Sequence, residues 1–205
     1  FDEFLEGVSG TSIVCLDDAG SARLEGREKV VTYGTNPTAH WVISDYASSR
    51  FSASFVLTDP DGVSRVIDLL TPGLHNVRNA TAAIIASHDL GVTTEQAQSA
   101  LAKFSGVARR FHFRGDRDGV TYIDVYAHLP TEVHGAIEAA LSGEWGRVIC
   151  VFQPHRYSRT ADLWRSFGKS FEGVDLLAVT EIYSAGESPR PGISGRLIVC
   201  LLYTS

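Results

Sequence analysis

Nine consecutive residues, Phe152-Gln-Pro-His-Arg-Tyr-Ser-Arg-Thr160, gather a histidine, two arginines, a tyrosine and two hydroxyls. Arg156 and Arg159 offer planar donor forks that suit a carboxylate or phosphate and stay charged at any working pH. The apolar run before them, Arg147-Val-Ile-Cys-Val151, reads as a strand. A strand that empties into such groups sets them at the carboxyl end of an open α/β sheet, where these folds bind ligands. The pattern points to an anion site; a solvated loop capping the next helix is the plain alternative.

Four further stretches have residue types that could do chemistry. In Gly73-Leu-His-Asn-Val-Arg-Asn79, Asn76 and Asn79 lie three apart at the start of a helix and project from one side of it. A carboxamide offers donor and acceptor together, which matches the N6/N7 edge of adenine; an ordinary Asn cap is the alternative. Arg109-Arg110 suits phosphate charge or a solvated salt bridge. In Asp124-Val-Tyr-Ala-His-Leu-Pro130, Tyr126 reads most simply as a packing aromatic and His128 as a polar residue at a strand end. Tyr183-Ser-Ala-Gly-Glu187 is a further strand-end loop, which a turn at Gly186 explains almost as well as function does.

The elements that must hold these groups are legible. Before residue 72, short strand-like runs (12–16, 29–33, 40–44, 50–57 and 63–69) alternate with turn signals, and Asp59-Pro-Asp-Gly62 has hairpin chemistry. Two helices follow, over 75–90 and 93–104, the second opened by Thr93-Thr-Glu-Gln96, a capping-box pattern. Beyond Gly106 strand and helix alternate over 120–125, 130–141, 147–152, 160–171 and 176–180, with Pro130 at a helix first turn. That rhythm implies βαβ units and a parallel sheet. The expected class is α/β in two pieces, 1–105 and 106–199.

With 44% hydrophobic and 20% charged residues the chain is an ordinary globular one, and a net charge of −6 without a basic patch argues against general nucleic-acid binding. Its three cysteines, at 15, 150 and 200, have neither metal-site nor disulfide-framework spacing, which fits a reducing cytoplasm. No apolar run approaches the roughly 20 residues that span a bilayer.

FQPHRYSRT resembles the C-terminal signature of the Mur ligases, in particular their alanine-adding branch. Four more blocks agree in order and spacing: 72–80, 107–111, 124–132 and 182–187. The resemblance covers nearly all of residues 1–199. It implies the rear of a Mur-ligase central ATPase domain followed by a doubly wound, Rossmann-like C-terminal domain. It further implies ligation of L-alanine to UDP-N-acetylmuramic acid through an acyl phosphate, with ATP and Mg²⁺, in the cytoplasm, during peptidoglycan precursor synthesis. By the same resemblance His75, Asn76, Asn79 and Tyr126 serve the nucleotide, while Arg110 steadies phosphate charge as the domains close. His128, His155 and Arg156 surround the incoming amino acid, Arg156 on its carboxylate and His128 also acting on the protonation of the amine. A tripeptide-recycling ligase of the same family, or a non-catalytic nucleotide-binding paralogue, are the alternatives.

Two departures stand out. The family pattern Asp-Asp-Tyr-(Ala/Gly)-His-His-Pro has Val125 in place of its second Asp and Leu129 in place of its second His. Valine neither accepts a hydrogen bond nor carries charge, and Asp124, one residue off, points to the other strand face. No GxxxxGK[ST] phosphate loop stands in these residues, so the 205-residue polypeptide is expected to be inactive alone, its metal ligands lying upstream. Both ends read as cut: the chain opens at Phe1 without Met, and Cys200–Ser205 matches a translated transposon end and reads as a scar, with a genuine apolar strand as the alternative.

Overall fold

The computed structural model describes residues 2–204; Phe1 and Ser205, the outermost residues of the two ends read as cut, lie outside the described residues. The chain forms two compact units, residues 1–106 and 107–205.

The first unit runs α1 (Asp2–Glu6), β1 (Ser12–Cys15), α2 (Ala19–Ala22), β2 (Val30–Gly34), β3 (Trp41–Ser48), β4 (Ala53–Thr58), β5 (Ser64–Leu69), α3 (Leu74–His88) and α4 (Thr94–Leu101). Its five strands lie in sequence order. β1, β2 and β3 are parallel, whereas β3, β4 and β5 form an antiparallel meander. Strict alternation in β4 turns Ala53, Phe55 and Leu57 inward. They meet Ile43, Ile67 and Leu69 from the sheet and Val77, Ala80, Ile84 and Ile85 from α3 in one core. The hairpin between β4 and β5 closes on Asp59, whose Oδ1 accepts from the N–H groups of Asp61 (3.1 Å) and Val63 (2.9 Å). The α4 capping box forms as read: Gln96 N donates to Thr93 Oγ1 and Thr93 N to Gln96 Oε1.

Asp17, just past β1, joins three elements. Its Oδ1 accepts from Thr35 N (2.8 Å) and Thr35 Oγ1 (3.0 Å), after β2, while Oδ2 accepts from Arg78 Nε (2.8 Å), on α3. Only 6% of its side chain is exposed. Burial alone would raise the Asp17 carboxyl, but the bonds from Arg78 and Thr35 outweigh it and hold the group below its usual range. Gly34, at φ +150°, makes the approach possible, because a Cβ there would sit 2.5 Å from Asp17 Oδ1.

The second unit runs β6 (His112–Arg117), β7 (Val120–Asp124), α5 (Pro130–Leu141), β8 (Ile149–Phe152), α6 (Tyr157–Leu163), a 3-10 segment (Trp164–Lys169), β9 (Leu176–Val179) and α7 (Arg196–Thr204). β8 and β9 pair in parallel. Their inward residues, among them Cys150, Phe152, Leu177 and Val179, pack with Val133, Ile137, Phe167, Phe171 and Ile198. Burial pushes the Cys150 thiol up to about 11, so it behaves as a small core residue. The class is α/β, as the sequence implies.

Three local expectations change. The strand at 120–125 does not join the parallel sheet: β7 pairs antiparallel with β6, which the sequence left unread. β6 carries three charges in six residues and no alternating apolar face, so hydropathy does not reveal it. The second helix of this unit starts at Tyr157 rather than 160, drawing Ser158 and Arg159 into its first turn. Residues 200–204 complete helix α7 rather than the apolar strand held as the alternative to a scar, and Leu202 lies against the core.

Gly34→Ala is expected to cost about 1–3 kcal/mol, the usual strain of a side chain in this glycine-only backbone region. Equilibrium urea unfolding monitored on the first unit checks this; an unchanged midpoint would show that Asp17 moves aside freely.

Candidate functional site

In the first unit the candidate nucleotide residues open α3. Gly73 caps it with φ 95° and no side chain, and its carbonyl accepts from Asn76 N (3.0 Å) and Val77 N (3.3 Å) in the first turn. Asn76 does not act as a cap. Its Nδ2 donates to Pro72 O at 2.7 Å, which fixes the carboxamide with Oδ1 turned away from that bond. Asn79, one turn on, is exposed, and His75 is half-buried. The Asp17–Arg78 pair lies on this same turn and holds it against the ends of β1 and β2.

In the second unit main-chain pairing continues past the sheet. Tyr183 N donates to Pro154 O (2.9 Å) and Arg156 N to Tyr183 O (2.8 Å), forming a parallel bridge between His155 and Tyr183. The bridge brings four rings together. His155 lies 5.3 Å from His128, 5.5 Å from Tyr183 and 6.3 Å from Tyr126, and Tyr126 meets His128 edge-on at 4.9 Å. Three of the residues singled out from sequence, Tyr126, His128 and His155, thus share one cluster.

Charges surround it. Arg159, one helical turn beyond His155, places Nη1 2.9 Å from His155 Nδ1. A guanidinium only donates, so Nδ1 accepts and the proton of neutral His155 sits on Nε2. Burial first, then the charges of Arg159, His128 and Arg156, hold the His155 pKa below its usual 6.5. Arg156 stands at the N-cap of α6 with φ 73° and ψ 138°, an unusual conformation for a residue with a Cβ. Its side chain is exposed.

Glu132, in the first turn of α5, accepts from the N–H groups of His128 (3.0 Å) and Leu129 (3.1 Å). Burial raises its carboxyl, but those bonds and the charges of His128 and Arg110 outweigh the rise and hold it below the ordinary range. Arg110 and His128 therefore act on one carboxylate. His128 Nδ1 is buried without a hydrogen-bond partner among the described residues, and at 3.9 Å from Glu132 Oε2 the contact is too long to be one. Such an atom costs about 1–3 kcal/mol unless a ligand or water meets it.

Glu187 closes the far side, accepting from Ser158 N (2.8 Å) and Ser158 Oγ (2.5 Å). One N–H of the first turn of α6, that of Ser158, is thereby satisfied from within the chain. Val125 and Leu129, the two departures from the family pattern, are each 36% exposed. Sequence reading left Glu132, Glu187 and the pairing of Arg159 with His155 unassigned. The i,i+4 spacing of His155 and Arg159 and the acid three residues after Leu129 are signals that reach two of them. Among the described residues no three His, Cys, Asp or Glu side chains gather as metal ligands, and no helix is long and apolar enough to cross a membrane.

Comparison with known proteins adds the ancestry. Residues 1–87 match the Mur ligase middle domain and residues 109–200 the Mur ligase glutamate ligase domain. The chain belongs to the Mur ligase family. Among its relatives is the UDP-N-acetylmuramate–L-alanine ligase of Geobacter sp. (strain M21), 38% identical over 203 residues, covering 97% of this chain and 44% of that protein. The corresponding ligase of Nitrobacter winogradskyi is 40% identical over 205 residues, covering 94% and 44%. The crystal structure of UDP-N-acetylmuramate-alanine ligase from Thermotoga maritima superposes with a TM-score of 0.72 at 26% identity, over 95% of this chain and 41% of that one. This Mur ligase chain thus spans under half the length of its curated relatives.

The depressed His155 pKa gives a pH signature. Neutral His155 is favoured in the folded state, so its contribution is full above pH 6.5, the unperturbed value, and is lost as pH falls through the lower folded value. Unfolding free energy measured in urea from pH 7.5 to 5 is expected to decline on the acid side, and less steeply in His155→Gln. Equal declines would remove His155 as a source.

Proposed function

We propose that this chain is the nucleotide- and alanine-handling part of an ATP-dependent ligase that joins L-alanine to UDP-N-acetylmuramic acid. The observation that carries the reading is the ring cluster of Tyr126, His128, His155 and Tyr183 set beside Arg156 and Arg159. It occurs in a chain close to 40% identical to alanine-adding ligases.

The reaction has two steps. The muramate carboxylate takes the γ-phosphoryl group of ATP, giving an acyl phosphate and ADP. The neutral amine of L-alanine then attacks the acyl carbon, the C–O bond to phosphate breaks, and the amide, phosphate and a proton leave. A magnesium ion, when bound, supplies charge neutralisation on the transferring phosphate; the described residues hold no ligand set for it, and no step rests on it here.

This chain's own residues would bind and orient. Arg156, exposed and always charged, suits the alanine carboxylate as a bidentate partner. The burial and the cationic surroundings that hold the His155 pKa down also favour a neutral amine beside it, which is the nucleophilic form. Arg110 would steady phosphate charge. Asn76, with its Nδ2 spent on Pro72, would present Oδ1 to a donor such as the adenine amino group, with exposed Asn79 and His75 beside it. Tyr126 would flank the nucleotide.

A second reading has its own observation. Val125 places an exposed apolar side chain where the family pattern carries an acid, which favours a chain that binds without catalysing. A chimera decides between them, with this chain replacing the matching 203-residue region of the Geobacter ligase. ADP release that depends on both L-alanine and the muramate substrate is expected, rising about tenfold or more in the Val125→Asp, Leu129→His double variant, the gain typical of one restored charged contact. A chimera that folds and binds ATP yet stays silent in both forms would favour the binding module. The 205-residue chain alone is expected to release no ADP, and turnover by it would overturn that statement.

A further inference from the structure

Glu187 has no role in the chemistry above, yet it is the most heavily engaged carboxylate of the second unit's strand-end loops. Both its oxygens are taken by one residue, with Ser158 Oγ donating to Oε1 at 2.5 Å and Ser158 N to Oε2 at 2.8 Å. Those bonds, Ser158 hydroxyl first and Ser158 N–H second, hold the Glu187 carboxyl below its usual range, with the charges of Arg190 and Arg156 adding to them. The clasp joins the loop after β9 to the first turn of α6.

Arg156 lies between the two ties. On its N-terminal side its N–H donates to Tyr183 O (2.8 Å). On its C-terminal side its carbonyl accepts from Thr160 N (3.1 Å) and from the buried Thr160 Oγ1 (2.9 Å). Two residues on, Ser158 is clamped by Glu187. A residue with a Cβ keeps φ 73° only when its surroundings over-determine it. Released, Arg156 would relax toward negative φ and redirect its guanidinium, whose charge acts on His155.

We propose that Glu187 is a positioning residue: by clasping Ser158 it holds Arg156 in its left-handed conformation and aims the guanidinium at the carboxylate of the amino-acid substrate. This rests on the proposed role of Arg156 in binding L-alanine.

The test is an amide-resolved NMR titration of the full 205-residue chain with L-alanine, using Arg156→Ala, Glu187→Ala, Glu187→Gln and Ser158→Ala, with spectral dispersion reporting the fold. Glu187→Ala is expected to weaken L-alanine binding about tenfold while leaving the ATP-induced shifts of Asn76 and Asn79 in place. Glu187→Gln, whose Oε1 still accepts from Ser158, recovers most of the loss, as does Ser158→Ala, which keeps the backbone donor. If Arg156→Ala weakens binding and a folded Glu187→Ala does not, Glu187 is not a positioning residue. If Arg156→Ala leaves binding intact, or the wild-type chain does not bind L-alanine, the functional reading itself falls. A Glu187→Ala chain that loses dispersion passes the decision to Glu187→Gln and Ser158→Ala, where a loss as large as that of Arg156→Ala in a folded protein would overturn the rescue and the proposal with it.

Discussion

Two backbone hydrogen bonds, Tyr183 N to Pro154 O and Arg156 N to Tyr183 O, tie the segment after β8 to the segment after β9. Parallel strands otherwise diverge into loops at their carboxyl ends, and side chains on such loops have no fixed relation to one another. Here the pairing is extended by one bridge beyond the sheet. It fixes His155 against Tyr183, and through His155 it fixes Arg159 and the approach of His128. The unusual φ of Arg156 falls between this bridge on one side and the Glu187–Ser158 contact on the other. The chain must leave the bridge and enter α6 within one residue, and a left-handed step is the short way to do so.

Electrostatics then sets the character of the cluster. Three arginines, at 110, 156 and 159, act on it, against Glu132 and Glu187. Both carboxylates are occupied by backbone N–H groups near helix starts, so each is held at its own cap rather than paired with a guanidinium. The positive charge of the arginines is therefore left to act outward on a ligand and inward on His155. Burial and that charge together keep the ring neutral with its proton on Nε2. A neutral imidazole in a cationic frame is a fit surround for an anionic group and a free amine, which is the chemical description of an amino acid ready to attack.

What the sequence revealed follows from the range of the forces involved. Local rules held where local chemistry decides: Pro130 opens α5, Thr93 and Gln96 cap α4, and Asp59 closes its hairpin. The strands of the first unit were legible because alternation in segments such as 53–58 records a buried face. β6 was not, because three charges in six residues leave it no alternating apolar face, and its pairing with β7 is a property of the backbone. In the site, residue type announced His155, Arg156 and His128. The engagement of Glu187 with Ser158, 29 positions apart, and of Asp17 with Arg78, 61 apart, depends on crossovers that no window of sequence contains.

The two departures from the family pattern separate ancestry from activity. Val125 and Leu129 are each 36% exposed and belong to neither buried core. A substitution at such positions changes folding free energy by little, on the order of 0.5 kcal/mol. The fold therefore exerts no pressure to keep acid or imidazole there, and only a ligand could. Agreement of backbone with relatives, however close, is silent about these positions for that reason. Asp17, Thr81 and Phe55 are in the opposite case, since each is locked by neighbours and reports on the scaffold alone. Of the two departures, Val125 is the one where the chemistry changes most, from a charged acceptor to a group that can offer neither charge nor hydrogen bond.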